Sequence, residues 1–289
     1  DGSFSFESIP YGTWYVREIE QPAGFVLDDT IYPVTIGADG QIVEIKIVNK
    51  YVRGNIHLTK VDSEYPDNKL TGATFEVYKD SNANGKLDDG DELLGTLTEK
   101  EKGEYIMNDL FYGRYFVKET KAPEGFVLDT GVYEVMIDTN DKTYEVENKA
   151  GVGFINEAMR GNLKIVKTSS DGKVKGFAFR ITGANGYDII LETNDKGEIF
   201  IDGLRIGDYT ISEVSNSASS MYVIPADKKA TVKLGSTTIV EMHNVLRDTP
   251  KTGDTTNLPL LYTLAGLSAV GIAVCGVIGF KKKKKEDRN

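Results

Sequence analysis

The segment Tyr115–Phe126, YFVKETKAPEGF, has a near copy at Trp14–Phe25, WYVREIEQPAGF. Side chains alternate between the two faces of a strand, so Tyr115, Val117 and Glu119 share one face, as do Trp14, Val16 and Glu18. Each segment therefore aims a carboxylate at the side that its apolar residues mark as core.

Working outward, GNIHLTK at Gly54–Lys60 recurs as GNLKIVK at Gly161–Lys167, each after an arginine. Ile56 and Leu58, and Leu163 and Ile165, precede a lysine in the same phase, so Lys60 and Lys167 also face inward. Later in each unit comes the pattern NDLFYGRYFVKE or DGLRIGDYTISE, ending on Glu119 or Glu213. SIPYGTWYVRE, ending on Glu18, is the same pattern with nothing before it. Each unit closes on an asparagine after alternating apolar residues: Val43, Ile45, Ile47 and Asn49 in the first, Val240, Met242 and Asn244 in the third. The middle unit offers two. Asn156 lies five residues before Gly161, as Asn49 lies five before Gly54, whereas Asn148 keeps the better spacing from Glu119.

Short alternating strands, turns rich in Gly, Asn and Asp, and no convincing amphipathic helix predict an all-β chain of tandem sandwiches. The repeats predict the C-terminal part of a truncated sandwich at 1–53, complete sandwiches at 54–160 and 161–248, and an anchoring segment at 249–289. The opening DGSFSFESIPYG has no basic stretch followed by an apolar one, so Asp1 is expected to begin inside a longer chain or after a processed leader.

Composition narrows the function. With 289 residues, 40% hydrophobic, including 15 Tyr and 12 Phe, there is material for real cores. A formal charge of −10 disfavours nucleic acid as a partner. A single cysteine, Cys275, excludes a disulfide framework within the chain. The two histidines, His57 and His243, sit in strand-like runs and read as strand surface residues. Gly-x-Ser-x-Gly and His-Glu-x-x-His are absent, so nothing here supports a hydrolase.

Leu258–Phe280 is uncharged and long enough to cross a bilayer as a helix, and KKKKK follows at 281–285. The positive-inside rule puts that end in the cytoplasm and everything before Leu258 outside. Just upstream stand Thr249, Pro250, Lys251, Thr252 and Gly253. Pro-x-Thr-Gly, apolar span and basic tail together resemble the cell-wall sorting signal of Gram-positive bacteria, with Thr249 where the commonest pattern has Leu. The resemblance implies a sortase as partner, cleavage after Thr252, and attachment of the Thr252 carbonyl to peptidoglycan or a neighbouring pilin subunit. The membrane would hold the chain only before sorting.

The repeats themselves resemble the prealbumin-like B-type domains of Gram-positive collagen adhesins and pilins. ETKAPEGF at 119–126 is similar to the pilin E-box, while the third unit, with SEVSNSASSMYV, lacks its Ala-Pro-x-Gly part. An unpaired charge in an apolar core is costly, so each unit must neutralise, pair or consume these groups. Burial lowers a lysine pKa and raises that of a glutamate. A neutral amine is a nucleophile, and a protonated glutamate can polarise a neighbouring carboxamide, so the amine can attack and expel ammonia. The resemblance implies the same intramolecular isopeptide bond: Lys60 to Asn156 (alternatively Asn148) with Glu119 as catalyst, and Lys167 to Asn244 with Glu213. Glu18 and Asn49 remain from a first unit whose lysine would lie upstream. The competing expectation is a buried Lys–Glu ion pair without covalent chemistry.

DSNANGKLDDGD at Asp80–Asp91 reproduces the spacing of a calcium loop. Asp80, Asn82, Asn84 and Asp88 would supply side-chain oxygens, Lys86 its place at position seven, and Asp91 the twelfth position. No cofactor is required, and calcium is the one candidate. The expectation for the whole is a wall-anchored extracellular stalk, pilin or adhesin subunit, with a host matrix ligand bound by a region before Asp1. The competing class is the spacer of a surface enzyme whose catalytic domain precedes residue 1.

Overall fold

The computed structural model describes residues 2–247, which contain strands and one short 3-10 turn at Ala184–Gly186. The expected transmembrane helix at 258–280, the sorting motif at 249–253 and the basic tail lie outside the described residues. Among the described residues no helix is long and apolar enough to cross a membrane. The chain divides into two compact units, the first ending at Met159 and the second beginning at Arg160.

In the first repeat, β1 (Gly12–Val16) and β3 (Tyr32–Ile36) pair antiparallel, as do the short β2 (Phe25–Val26) and β4 (Lys50–Tyr51). The strand expected over Val43–Asn49 does not form, and Val43 and Ile45 are exposed. The two complete repeats supply the reason. There the closing segment pairs in parallel with the lysine-bearing opening strand, and residues 2–11 form no such strand. Without a ladder partner, backbone amides gain nothing from the extended form.

The middle repeat runs β5 (Arg53–Asp62), β6 (Thr74–Lys79), β7 (Glu92–Thr96), β8 (Thr98–Glu101), β9 (Glu104–Phe111), β10 (Gly113–Lys121), β11 (Val132–Ile137), β12 (Lys142–Glu145) and β13 (Phe154–Asn156). One sheet has the order β11-β10-β6-β7; the other is β12-β5-β9-β8, with β13 also on β5. Ile56, Leu58, Phe75, Val77, Tyr115 and Val117 fill the space between them. The third repeat runs β14 (Arg160–Ser169), β15 (Ala178–Thr182), β16 (Asp188–Glu192), β17 (Glu198–Arg205), β18 (Gly207–Val214), β19 (Tyr222–Val223), β20 (Lys228–Val232) and β21 (Thr237–Leu246). Its sheets are β17-β14-β21-β19 and β16-β15-β18-β20, around Leu163, Ile165, Phe179, Ile211 and Met242.

The recurring Gly-x-aromatic motif has a common geometry. Gly12, Gly113 and Gly207 have φ of 142°, 147° and 135°, a region that side chains with a Cβ rarely adopt. This turn lets the aromatic residue two places on reach back four residues. The hydroxyls of Tyr115 and Tyr209 donate to the carbonyls of Phe111 (2.7 Å) and Arg205 (2.9 Å), and the indole Nε1 of Trp14 donates to Pro10 O (2.9 Å). The aromatic body, buried in Tyr115 and Tyr209 and exposed in Trp14, thus brings its polar tip to an acceptor and fixes where the glutamate strand starts.

In the third repeat β21 runs unbroken beside β14 from Asn162↔Thr237 to Ser169↔Asn244. In the middle repeat β12 pairs through Glu145↔His57, and β13 resumes at Phe154↔Lys60. Continuing the β12 register would have put residue 148 opposite Lys60, so about six residues are looped out. The loop turns at Lys149–Gly153, with Gly151 and Gly153 at positive φ. Asn148 closes its neck: its Oδ1 accepts from Ile155 N (2.6 Å), and its Nδ2 donates to Ile155 O (2.8 Å). We expect deletion of residues 148–153 to join β12 to β13 in register and to leave the unit folded, with a thermal midpoint within a few degrees of wild type, because shortening a surface loop changes closure entropy little. A calorimetric scan losing the transition of this unit would refute the register assignment.

Candidate functional site

Parallel pairing delivers the closing asparagine to the same place in both complete repeats. Asn156 stands opposite Asp62 and Asn244 opposite Ser169, each two residues beyond the lysine. Lys60, Glu119 and Asn156 are all buried, as are Lys167, Glu213 and Asn244. Asn156 Nδ2 donates to Glu119 Oε2 (2.8 Å) and to Val127 O, and Asn244 Nδ2 donates to Glu213 Oε1 (2.6 Å). Lys60 Nζ donates to Phe154 O (2.9 Å), on the strand that carries Asn156, and lies 5.3 Å from the centre of the Phe154 ring. Lys167 Nζ donates to Thr168 O and lies 4.1 Å from the centre of the Phe177 ring.

Four atoms in these two sites carry the protonation argument. Glu119 Oε1 and Asn156 Oδ1 are buried without a hydrogen-bond partner among the described residues, and so are Glu213 Oε2 and Asn244 Oδ1. With the glutamate ionised, all four are acceptors, and each carries the cost of an unmet buried polar group. A proton on the free carboxyl oxygen supplies a donor on the side where the carboxamide oxygen lacks one. Burial does push both glutamates up, against the hydrogen bonds from Asn156 or Asn244 that pull them down. Burial pulls Lys60 down to about 8, opposed by Glu119, Asp129 and Asp62. Lys167 is lowered for the same reason, opposed by Glu213 and Asp171.

Asn148 is brought to a different task. Its Nδ2 donates to Asp129 Oδ2 (2.7 Å) and to Ile155 O, while Asn156 holds the glutamate. In the first repeat the pair survives alone: Asn49 Nδ2 donates to Glu18 Oε1 (2.7 Å), both half-buried. His57 lies on the sheet surface between Glu104 (2.8 Å) and Glu145 (2.7 Å), and His243 pairs with Thr168 (2.8 Å).

A further aspartate escaped sequence reasoning. Asp129 N donates to Glu119 Oε2 (2.8 Å), and its carboxylate accepts from Tyr133 (2.9 Å). Asp28 N donates to Glu18 Oε2 (2.8 Å), and Asp28 accepts from Tyr32 (2.5 Å). The signal was available as FVLDDTIY at 25–32 and FVLDTGVY at 126–133, where Asp and Tyr keep their spacing. The third repeat has no such copy; there Asp171, on the loop after the lysine strand, accepts from Tyr222 (2.7 Å).

Residues 1–51, 54–150 and 161–245 each match the SpaA prealbumin-like fold domain. The chain belongs to the SpaA prealbumin-like domain family. It is 28% identical over 204 residues to the trypsin-resistant surface T6 protein of Streptococcus pyogenes serotype M6, covering 60% of this chain and 35% of that protein. The Bacillus anthracis TIE protein superposes with a TM-score of 0.62 at 26% identity, over 82% of this chain and 42% of that one. A streptococcal ancillary pilin is 21% identical over 83% of this chain and 77% of its own, with a TM-score of 0.30. This SpaA-type chain therefore spans about a third of the curated relative and under half of the TIE protein.

The remaining candidate in these SpaA-type repeats is the loop Asp80–Asp91. Asp80 accepts from the backbone N–H groups of Asn84 (3.1 Å) and Gly85 (3.0 Å), and Gly85 turns with φ 75°. Asn82 and Asn84 turn their Nδ2 donors, not their oxygens, toward Asp88 (2.9 and 2.6 Å), and their Oδ1 atoms accept from Asn84 N and Lys86 N. Asp91 accepts from Ser81 N and Asp88 N. Among the described residues no three His, Cys, Asp or Glu groups gather as a metal cluster. The loop closes on its own hydrogen bonds, and a calcium ion would have to displace the two Asn donors from Asp88. Asp80→Ala removes the acceptor for two amides and should cost roughly 1–3 kcal/mol in urea unfolding with chelator present. No loss in chelator, with a loss only in calcium, would show that the ion holds the loop.

Proposed function

We propose that the chain is part of an extracellular Gram-positive surface stalk or pilin-like subunit whose SpaA-type domains close their own isopeptide bonds. The observation that carries this is the recurrence of a buried lysine, acid and asparagine at one register in two domains, with the carboxamide hydrogen-bonded to the acid. Neutral Lys60 Nζ attacks Asn156 Cγ while the Glu119 O–H donates to Oδ1. The Cγ–Nδ2 bond then breaks, Nδ2 leaves as ammonia with one proton from the amine, and Glu119 recovers its own. Lys167, Asn244 and Glu213 act likewise. Chemistry occurs once per domain, without turnover. A relative described as a surface protein supports this structural reading.

The bond would link the opening strand to the closing strand, so tension along the chain passes through covalent bonds. The sorting-type signal at 249–253 extends the proposal: a sortase would cut after Thr252 and join that carbonyl to peptidoglycan or to another subunit. A matrix-binding region would lie outside these residues. Calcium at Asp80–Asp91 is an added staple in this proposal, separable from the crosslinks.

The folded segment from Asp1 to Thr252 should weigh two ammonia molecules less than its sequence, and Glu119→Ala one; an intact mass equal to the sequence defeats the crosslinks. Closure should also depend on pH. With Lys60 near 8, the neutral amine falls about tenfold per unit below that value, so closure slows on acidification. Glu119 must keep its proton, so closure slows again above its raised pKa. Mass spectra of chain translated into denaturant and refolded across a broad pH range would trace both limbs. For anchoring, wild-type full-length protein should need wall-digesting enzymes for release, while Thr252→Ala shifts to membrane or medium. Equal extraction of both by detergent would leave only a membrane anchor.

A further inference from the structure

Isopeptide closure in the middle domain, as proposed above, must dispose of a leaving group from a buried carbon. A cavity of about 340 Å³ is lined by Asn156 together with Val127, Leu128, Asp129, Tyr133 and Asn148. Its inner wall includes Asn156, which is 3% exposed, with Oδ1 unpartnered and Nδ2 pointing to Val127 O. Its outer wall includes Val127 and Leu128, which are 48% and 40% exposed. The cavity therefore lies beside the carboxamide that must lose its nitrogen, with Asp129 on the same wall.

We infer that this cavity is the leaving-group site of the crosslinking reaction, and that it takes up the expelled nitrogen as ammonium with Asp129 as counter-ion. The balance requires a cation: an ammonium-form Lys60 and a neutral carboxamide become a neutral amide and one ammonium ion. Lys60 releases one proton to solvent before attack and passes a second to Nδ2 during it; the ammonia formed when Cγ–Nδ2 breaks then takes one proton back from solvent. Asp129 is suited to receive it. Burial raises its pKa, but hydrogen bonds from Asn148, the Gly131 amide and Tyr133 more than offset this and keep it ionised. The charged or titratable groups around it are Lys60, Glu119 and Tyr133, with Glu157 on the cavity wall and Asp62 across the strand pair. Ammonium has no apolar surface to lose, and Asp129 together with the Val127 and Ile155 carbonyls supplies oxygen acceptors at or beside the wall.

The test follows ammonia loss by intact mass against time, for full chain translated into denaturant and refolded across the pH range. Asp129→Asn keeps the size of the side chain and an acceptor oxygen for Tyr133. Its maximal closure rate should fall about tenfold, the effect of losing one nearby opposite charge. Its acidic limb should move to lower pH, because Asp129 also holds the Lys60 proton. A purely structural role would lower the rate without moving that limb. A maximal rate within about twofold of wild type overturns the inference. Should Asp129→Asn fail to fold, the wild-type rate is compared in ammonium chloride and in tetramethylammonium chloride at equal ionic strength. Ammonium should slow closure by occupying the site, and the methylated cation, which has no N–H to give, should not; equal rates overturn the inference. Wild type that never loses ammonia would instead remove the crosslinking proposal itself.

Discussion

An ammonium group enclosed between two β-sheets is tolerable only if it is paired, neutralised or consumed, and both complete domains are arranged around that constraint. Among the described residues Lys60 and Lys167 are the fully buried lysines, each preceded on its opening strand by inward apolar residues, Ile56 and Leu58 or Leu163 and Ile165. The closing strand lies beside the opening strand and parallel to it, which fixes the acceptor two residues beyond the lysine. The glutamate comes from the opposite sheet, on β10 or β18. Lysine and asparagine thus come from one layer and the acid from the other, so the three meet only when the two sheets have packed. A reaction that depends on this meeting is a consequence of folding, and the unfolded chain cannot perform it.

Much of this was legible in the sequence because a strand's period of two converts position directly into face. Leu58, Ile165 and Val117 mark the inward phase of Lys60, Lys167 and Glu119, the repeated pattern places Glu213 at the position of Glu119, and all four are buried. The sandwich class followed from the same alternation. Pairing is less local, and there the reading ran out. The residues around Val43–Asn49 alternate as a strand should, yet remain unpaired because pattern does not guarantee a partner. The choice between Asn148 and Asn156 turned on a loop of about six residues whose neck is closed by the side chain of Asn148 itself. The separation of Glu119 from Asn156 is 37 residues, against 31 for the pairs Glu213–Asn244 and Glu18–Asn49, which is the same six-residue excess.

The Gly-x-aromatic motif marks another boundary of legibility. Its recurrence was plain, but its reason is a backbone conformation and a hydrogen bond spanning four residues, neither of which has a periodic signature. Trp14 shows that the bond, not the residue type, is what recurs, since its indole replaces the tyrosine hydroxyl. The consequence for the site is positional. The bond anchors the start of the strand whose seventh residue is the acid, counting Gly113 or Gly207 as the first.

The two domains also divide labour between a pair of carboxyl groups in the same way, although they recruit the second from different places. Glu119 and Glu213 are pushed up by burial. Asp129 is held down by Asn148, Gly131 and Tyr133 against the effect of burial, and Asp171 is held down chiefly by Tyr222. One carboxyl in each site is thereby biased to keep its proton and the other to remain an anion facing the lysine. In the middle domain the anion stands ten residues after the acid, on the loop that follows it; in the third it stands four residues after the lysine, on the loop at the other side of the site. Inheritance of a motif would have kept the position. What is kept instead is an aspartate–tyrosine pair within electrostatic reach of the buried amine, whichever loop provides it.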